Sequence, residues 1–204
     1  IAESDAVDGA TWSSTTTYAK DALVRYNHVR YQSLAASNVG KNPSVEANNS
    51  GTAAVWRKLG ATGPYKMLDD FVETQTVGTV STPLTFTVPF DHANSFALLN
   101  LSADYVTVKI TDGKGGDGVL LEQTYELIED IHSLSLFEYC YSRIKKKTSI
   151  LSTGVSYGVG GTFEVTVNAD GYAPAVGHVV VGVSRDIGLT KFDAESRITD
   201  YSKK

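Results

Sequence analysis

The chain has 204 residues and a net charge of −5, with 42% hydrophobic and 20% charged residues. This composition supports a buried core and excludes a disordered chain. The acidic balance, interrupted by one short basic run at residues 143–147, argues against a nucleic-acid-binding protein that works through phosphate contacts.

The N-terminal part of the sequence predicts a small β hairpin. Two runs, residues 23–26 and 29–32, mix aliphatic, aromatic and basic side chains and flank Asn27 and His28. Asn tolerates the left-handed region of backbone space, so Asn27 and His28 predict the turn between the two strands. A second turn follows in the Gly-Lys-Asn-Pro sequence at residues 40–43.

The rest of the chain predicts further β-strands. Three sets of apolar residues alternate with polar ones, which is typical of half-buried strands: Leu84, Phe86 and Val88; Val106, Val108 and Ile110; Phe163, Val165 and Val167. Glycine-rich clusters at 112–118, 158–161 and 168–171 predict turns between strands. Short strands separated in this way predict a β-sandwich, with the continuous apolar run at 179–181 near the centre of a sheet.

Helical signals are scarce. One or two helical turns are predicted near residues 133–139, with Ser133 or Ser135 as the N-cap. Cys140 follows among aromatic residues and is interpreted as a buried, inert thiol. A single cysteine excludes an intramolecular disulfide and a cysteine-rich zinc site.

We therefore expect a mainly β protein with four parts. A small β module occupies residues 1–62, a connector 63–80, a β-sandwich 81–185 and an extended C-terminal arm 186–204. The connector is rich in Gly, Thr and acidic residues with weak periodicity, and the arm is polar and irregularly patterned.

The order of aromatic residues in the first part resembles that of the small chitin-binding carbohydrate modules. Their pattern is W, then T-x-Y, then G-D-x-V-x-Y-N-G-x-x-Y, then G-x-x-P and a closing W. The residues at the corresponding positions here are Trp12, Thr17, Tyr18, Lys20, Asp21, Tyr26, Asn27, His28, Tyr31, the turn at 40–43 and Trp56, with Lys20 and His28 in place of Gly. The resemblance implies carbohydrate-binding roles for Trp12, Tyr18, Tyr26, Tyr31 and Trp56.

Two features depart from that pattern. His28 replaces the hairpin Gly, and Leu34, Ala35 and Ala36 follow Tyr31 where sugar-binding members carry exposed aromatics. A pyranose ring stacks on a flat π face that is open to solvent, which Leu and Ala do not supply. We therefore favour core packing over direct sugar contact for the five aromatic residues, and sugar contact remains the alternative.

Most of the chain is also similar to tail-associated proteins of tailed bacteriophages, in which a chitin-binding-like module precedes a β-sandwich and a C-terminal extension. The similarity rests on Trp56, Leu59, Gly60, Lys66, Met67, Asp69, Asp70, Thr74, Gln75, Thr76, Gly182, Asp186, Ile187, Gly188, Thr190, Asp200, Tyr201 and Ser202. The resemblance implies a structural virion protein of the tail tip, baseplate or fibre attachment. Its implied partners are other tail or baseplate proteins and copies of itself, with a host cell-surface glycan as a further contact.

No arrangement of residues predicts an enzyme, a metal site or a cofactor. The histidines are scattered in the sequence: His28, His92, His132 and His178. The G-x-S-x-G match at residues 154–158 is followed by a β-strand pattern instead of a helix, so it does not predict a nucleophile elbow at Ser156. Asp112 and Asp117 could ligate Ca²⁺ from the glycine-rich loop at 112–118, although a flexible hairpin loop is the simpler interpretation.

Membrane insertion is not expected either, because no apolar run approaches the about 20 residues that cross a bilayer. The first residues, which are acidic, also lack the basic-then-apolar pattern of a signal peptide. Two hypotheses remain. A phage tail component would act through large subunit contacts, whereas a carbohydrate-binding module of an adhesin or secreted polysaccharide-degrading enzyme would present exposed aromatics in a line.

Overall fold

The computed structural model describes residues 5–113, 118–128, 146–156 and 158–185. Within these ranges the protein is mainly β, as the alternating pattern predicts, and its strands form three four-stranded sheets. The helical turns predicted near 133–139, Cys140 and the predicted arm at 186–204 lie outside the described residues.

The N-terminal module is built on one small sheet. Its strands, in spatial order, are β1 (Ala10–Thr11), β2 (Leu23–Tyr26), β3 (Val29–Ser33) and β4 (Trp56–Ala61). The first pair is parallel, and the other two pairs are antiparallel. Two short helices accompany the sheet, α1 (Asp5–Asp8) and α2 (Glu46–Asn49).

Two further sheets form the predicted sandwich. The front sheet contains, in spatial order, β6 (Leu84–Ala93), β11 (Gly158–Asn168), β8 (Tyr105–Thr111) and β9 (Val119–Glu126). The back sheet contains β10 (Ser149–Ser152), β7 (Ser95–Ser102), β12 (Ala175–Gly182) and β5 (Thr76–Val77). All paired strands of both sheets are antiparallel. The apolar run at 179–181 lies on β12 and pairs with β7, but β5 pairs only with Ala175 and Val176 at the other end of β12. Among the described strands the run therefore has a neighbour on one side, and the predicted position at the centre of a sheet is wrong.

The inward-facing side chains of the front and back sheets pack into one core. Seven of the nine alternating apolar residues predicted from the sequence are buried in it: Leu84, Val106, Val108, Ile110, Phe163, Val165 and Val167. Phe86 and Val88 are partly buried and pack against the same core. The polar residues between them face outward, so the period of two in the sequence corresponds to the two faces of each strand.

Residues 63–80 are ordered and contribute to the back sheet. They begin with a 3₁₀ helix (Gly63–Leu68) and end near β5, which pairs with β12. The buried Thr76 hydroxyl joins these two elements. It accepts a hydrogen bond from Met67 N (2.9 Å) and donates its own hydrogen to Pro64 O (3.2 Å).

Glycine is required where β11 passes the loop after β8. A Cβ atom on Gly113 would lie 1.8 Å from the carbonyl oxygen of Gly160. A Cβ atom on Gly161 would lie 1.9 Å from that of Thr111. Glycine at these positions permits close backbone contact. The turn predicted at 158–161 is wrong, because these residues form the first part of β11 and pair with β6.

A polar cluster around Asp104 joins three distant segments of the sandwich. The Oδ1 atom of Asp104 accepts hydrogen bonds from Lys146 Nζ (2.7 Å) and the Tyr172 hydroxyl (2.9 Å). The Oδ2 atom of Asp104 accepts one from Asp170 N (2.7 Å). The bond from Lys146 is the main reason that the pKa of the Asp104 carboxyl lies below its ordinary value. The same bond raises the pKa of the Lys146 ammonium group.

Candidate functional site in the N-terminal module

The predicted turn between β2 and β3 is confirmed. Asn27 and His28 have φ angles of 49° and 62°, so both residues occupy the left-handed region. Two consecutive residues of this kind between paired antiparallel strands are typical of a type I′ turn. The turn accommodates His28 where the chitin-binding pattern has Gly, and it places the His28 ring at the tip of the hairpin.

Three of the five candidate sugar-binding residues form the core of the module. Tyr18, Tyr31 and Trp56 are 8%, 5% and 0% exposed and pack with Val24. The ring centroids of Tyr18 and Trp56 lie 5.4 Å apart at 66°. Trp56 Nε1 donates a hydrogen bond to Lys41 O (2.7 Å), and burial raises the pKa of the Tyr31 phenol. Core packing is confirmed for these three rings.

The other two candidates, Trp12 and Tyr26, are only partly buried and pack against that core. Their ring centroids are 5.4 Å apart at 83°, so the edge of one ring meets the face of the other. Trp12 Nε1 is buried without a hydrogen-bond partner among the described residues. The rings line an open cleft of about 250 Å³ with Thr11, Arg25, Asn27 and His28. Sugar contact by this pair stays a prediction.

The segment that follows Tyr31 carries no ring, as its sequence requires. Leu34 is 41% exposed, and Ala36 is also exposed. The position where sugar-binding modules present aromatics is therefore on the surface here, but it offers only aliphatic side chains. Among the aromatic rings of the module, only those of Trp12, Tyr26 and His28 are exposed or half-exposed.

Tyr65 is a neighbour of the hairpin that sequence reasoning missed. Its ring stacks on His28, with centroids 3.7 Å apart and planes at 19°. Beside this stack, Thr62 N donates to His28 O and Gly63 N donates to Asp8 Oδ1, each at 2.8 Å. The hairpin tip therefore packs against the beginning of the 3₁₀ helix through a ring stack and a backbone hydrogen bond. No local sequence signal pairs residues 28 and 65.

The described residues offer no metal or membrane-spanning element. Within 5–113, 118–128, 146–156 and 158–185, no group of three His, Cys, Asp or Glu side chains could hold a metal ion. The Asp112 carboxylate accepts a hydrogen bond from Val159 N (3.2 Å), and Asp117, its predicted Ca²⁺-ligating companion, lies outside those ranges. None of the described helices is long and apolar enough to cross a membrane.

Comparison with known proteins gives little similarity. Neither the protein-family models nor the curated proteins compared with the chain give a match. Among solved structures, a GH29 fucosidase from Ruminococcus gnavus in complex with fucose has a TM-score of 0.39 and 14% identity to this chain. The alignment covers 60% of this chain and 22% of the fucosidase chain. A likeness of this size carries no functional argument.

Proposed function

We propose that the protein is a structural component of a bacteriophage tail, in the tail tip, baseplate or fibre attachment, and that it acts through protein–protein assembly. The observation that carries this proposal is the burial of Tyr18, Tyr31 and Trp56. These residues match the carbohydrate-module pattern, yet they pack the module rather than forming a line of open rings. This arrangement supports the resemblance to tail proteins over the sugar-binding alternative.

The attachment of the module to the chain that follows it supports the same proposal. The His28–Tyr65 stack and the hydrogen bonds at Thr62 and Gly63 link the hairpin tip and α1 to the 3₁₀ helix. That helix in turn contacts the back sheet, through Met67 in the sandwich core and through Thr76 of β5. A module held in this way presents a fixed surface to neighbouring subunits, as an assembly component requires.

Quantitative mass spectrometry of purified particles tests this proposal. Particles of the phage that encodes the chain are expected to contain it at a fixed, stoichiometric number of copies after density-gradient purification. A co-expressed non-structural protein of the same phage serves as the control for contamination. Recovery of the chain only in the soluble lysate, at no fixed ratio to the tail proteins, would exclude a structural role.

The second candidate function is carbohydrate binding, and the half-exposed Trp12–Tyr26 pair with its cleft is the observation that favours it. With only this pair available, we expect chitin oligomers to bind the protein at millimolar Kd or more weakly, about −4 kcal/mol. Isothermal calorimetry measures this Kd for the full chain, for the Trp12→Ala variant and for a Phe71→Ala control. Micromolar binding that Trp12→Ala abolishes and Phe71→Ala preserves would reverse the ranking of the two functions.

A further inference from the structure

An open cleft lies at one end of the front sheet, where the turn before β6 meets the turn after β11. Its volume is about 360 Å³, and it shares no lining residue with the cleft of the N-terminal module. Three segments that are distant in the sequence line it: Ser81 and Pro83 before β6, Tyr105 at the start of β8, and residues 168–170 at and after the end of β11. This site is called the sandwich cleft below.

The sandwich cleft combines one aromatic ring with three polar side chains. Tyr105 is 41% exposed, and its position on β8 faces away from the core because the next residue, Val106, is fully buried. The hydroxyl of Ser81, the amide of Asn168 and the carboxylate of Asp170 line the same cleft. Within the described residues, none of these three side-chain groups makes a hydrogen bond. The cleft therefore offers a ring face together with hydrogen-bonding groups that a ligand can use.

The walls of the sandwich cleft are held together by the polar cluster around Asp104. Asp104 N donates a hydrogen bond to Asn168 O (2.8 Å), and Asp104 Oδ2 accepts one from Asp170 N (2.7 Å). The Tyr172 hydroxyl donates to Asp104 Oδ1 (2.9 Å), while Tyr172 O accepts a hydrogen bond from Ser81 N (3.4 Å). The two turns are therefore fixed relative to each other before a ligand binds, which reduces the entropy that is lost on binding.

Ser81 has an unusual backbone conformation at the rim of the sandwich cleft. Its φ angle is 55°, in the left-handed region that serine adopts only at a cost in free energy. The residue follows the second position of a turn that Thr82 N and Thr79 O close with a hydrogen bond (3.1 Å). Glycine fits such a position without strain, but it has no hydroxyl group. The strain at Ser81 is accounted for if the hydroxyl contacts a ligand.

The chemistry of the sandwich cleft matches a neutral pyranose sugar. The CH groups of a pyranose pack on an aromatic face, and its neighbouring hydroxyl groups pair with amide and carboxylate groups. Asp170 gives the lining a formal negative charge, which repels an anionic ligand. Lys146 does not neutralise this charge, because its ammonium group is paired with Asp104 at 2.7 Å. A Ca²⁺ ion needs several more oxygen ligands than one carboxylate supplies.

We propose that the sandwich cleft is a carbohydrate-binding site for a neutral hexopyranose. Tyr105 supplies the stacking surface, and Asn168 and Asp170 bind adjacent hydroxyl groups of the sugar. The hydroxyl of Ser81 adds a hydrogen bond from the opposite wall. Asp104 is a positioning residue, because it holds the turn after β11 and does not touch the sugar. The site is separate from the cleft of the N-terminal module, and it does not depend on the proposed role in a tail.

The affinity of the sandwich cleft for a single sugar is expected to be weak. One ring in an open cleft removes only part of the sugar surface from water, so we expect a Kd on the order of 1 mM. Several copies of the chain on one particle would bind a surface that carries many sugars more tightly than one copy does. A method that detects millimolar binding to the isolated chain is therefore required.

Two-dimensional NMR of the ¹⁵N-labelled full chain tests the site at this affinity. The probes are the methyl glycosides of glucose, galactose and mannose, each next to the uronic acid glycoside of the same sugar. At least one neutral glycoside is expected to shift the backbone amide signals of residues 81, 105 and 168–170. Its uronic acid counterpart is expected to bind about tenfold more weakly or not at all, because Asp170 repels its carboxylate.

Variants separate the roles of the ring, the carboxylate and the strained serine. Tyr105→Ala and Asp170→Ala are each expected to raise the Kd by about tenfold or more. Ser81→Gly is expected to raise the Kd by about threefold or more, while its urea denaturation midpoint stays the same or rises because glycine relieves the strain. Thr87→Ala, on the exposed face of the same sheet, is the control and is expected to leave the Kd unchanged. Circular dichroism confirms that all variants are folded.

Three outcomes would overturn the inference. If no neutral glycoside at up to about 50 mM shifts the signals of the sandwich cleft, the cleft does not bind a pyranose. Shifts confined to residues 11–12 and 25–28 would place the sugar in the cleft of the N-terminal module. Binding that Tyr105→Ala leaves unchanged would show that the ring is not a stacking surface. Because the assay uses the isolated chain, its result is independent of whether purified particles contain the protein.

Discussion

The N-terminal module and the sandwich are both β structures, but their cores are built from different side chains. Of the four buried residues in the module core, Tyr18, Tyr31 and Trp56 are aromatic. The sandwich core consists largely of Val, Leu and Ile from two facing sheets, with Phe96 and Phe163 at its centre. A single small sheet encloses little volume, so a few large rings must supply most of its buried apolar area.

This difference shows why a row of aromatic residues in a short sequence is an ambiguous sign of sugar binding. In the sandwich, the alternation of apolar and polar residues identifies the core, and only Phe86 and Phe163 among the nine alternating residues are aromatic. In the module, three of the rings that would form a sugar platform make up most of the buried core. In a small domain, aromatic residues are therefore more readily explained by core packing than they are in a large one.

The largest expected effect comes from removing a ring of the module core. Truncating Tyr31 to Ala is expected to lower the free energy of unfolding by about 3 kcal/mol or more, because the buried ring leaves a cavity that the small sheet cannot fill. The exposed Leu34 gives a matched control, and Leu34→Ala is expected to change stability by less than about 0.5 kcal/mol. Urea denaturation measures both. An unchanged midpoint for Tyr31→Ala would mean that the ring does not hold the module together.

A smaller effect is expected from the polar cluster of the sandwich. Replacing Asp104 with Asn removes the charge from the hydrogen bonds with Lys146 and Tyr172 and is expected to cost about 1–3 kcal/mol. Asp170→Asn is the control, since only the backbone N–H of Asp170 takes part in the cluster. Equal stability of the two variants would show that the hydrogen bonds to the Asp104 carboxylate do not stabilise the fold.

The same cluster makes a prediction about pH. The pKa of Asp104 is held below its ordinary value of 3.8, so the folded state binds this proton less readily than the unfolded state. Its stabilising contribution is therefore complete above pH 3.8 and is lost as the pH falls through the lower folded-state pKa. Denaturation midpoints of the wild type and Asp104→Asn are expected to converge on acidification. A stability difference that grows in acid would contradict the assignment.

The smallest expected effect concerns the contact that joins the two regions. The His28–Tyr65 stack is expected to contribute about 0.5–1.5 kcal/mol of coupling in a double-mutant cycle with His28→Gly and Tyr65→Leu. His28→Gly keeps the left-handed turn, because glycine adopts positive φ without strain. The cycle is measured by urea denaturation. Additive effects of the two substitutions would show that the rings touch without stabilising the junction.

The sequence predicts the β-sandwich well because its strands are amphipathic. The alternating residues around Phe163 and Val108 are enough to place β11 and β8 and to identify their buried faces. Asn27 and His28 likewise predict the hairpin turn, since few residues tolerate positive φ. These signals are local, and each can be recognised within a few residues.

The remaining features are contacts between distant positions. The stack of His28 on Tyr65 and the bonds of Asp104 with Lys146 leave no local pattern, because each partner alone is typical of a surface residue. Which of the candidate rings are buried and which are partly exposed also depends on packing. Trp12 and Trp56 match the module pattern equally well, yet Trp56 is fully buried and Trp12 is not.

A cryo-EM map of the intact phage particle tests the central claim most directly. We expect the chain to occupy density in the tail at fixed, symmetry-related positions, with Tyr31 and Trp56 inside the module and with contacts to neighbouring subunits. A particle whose complete tail density is explained by other proteins would contradict the account. So would a map in which the chain touches no neighbouring subunit and presents Trp12 and Tyr26 to a bound glycan.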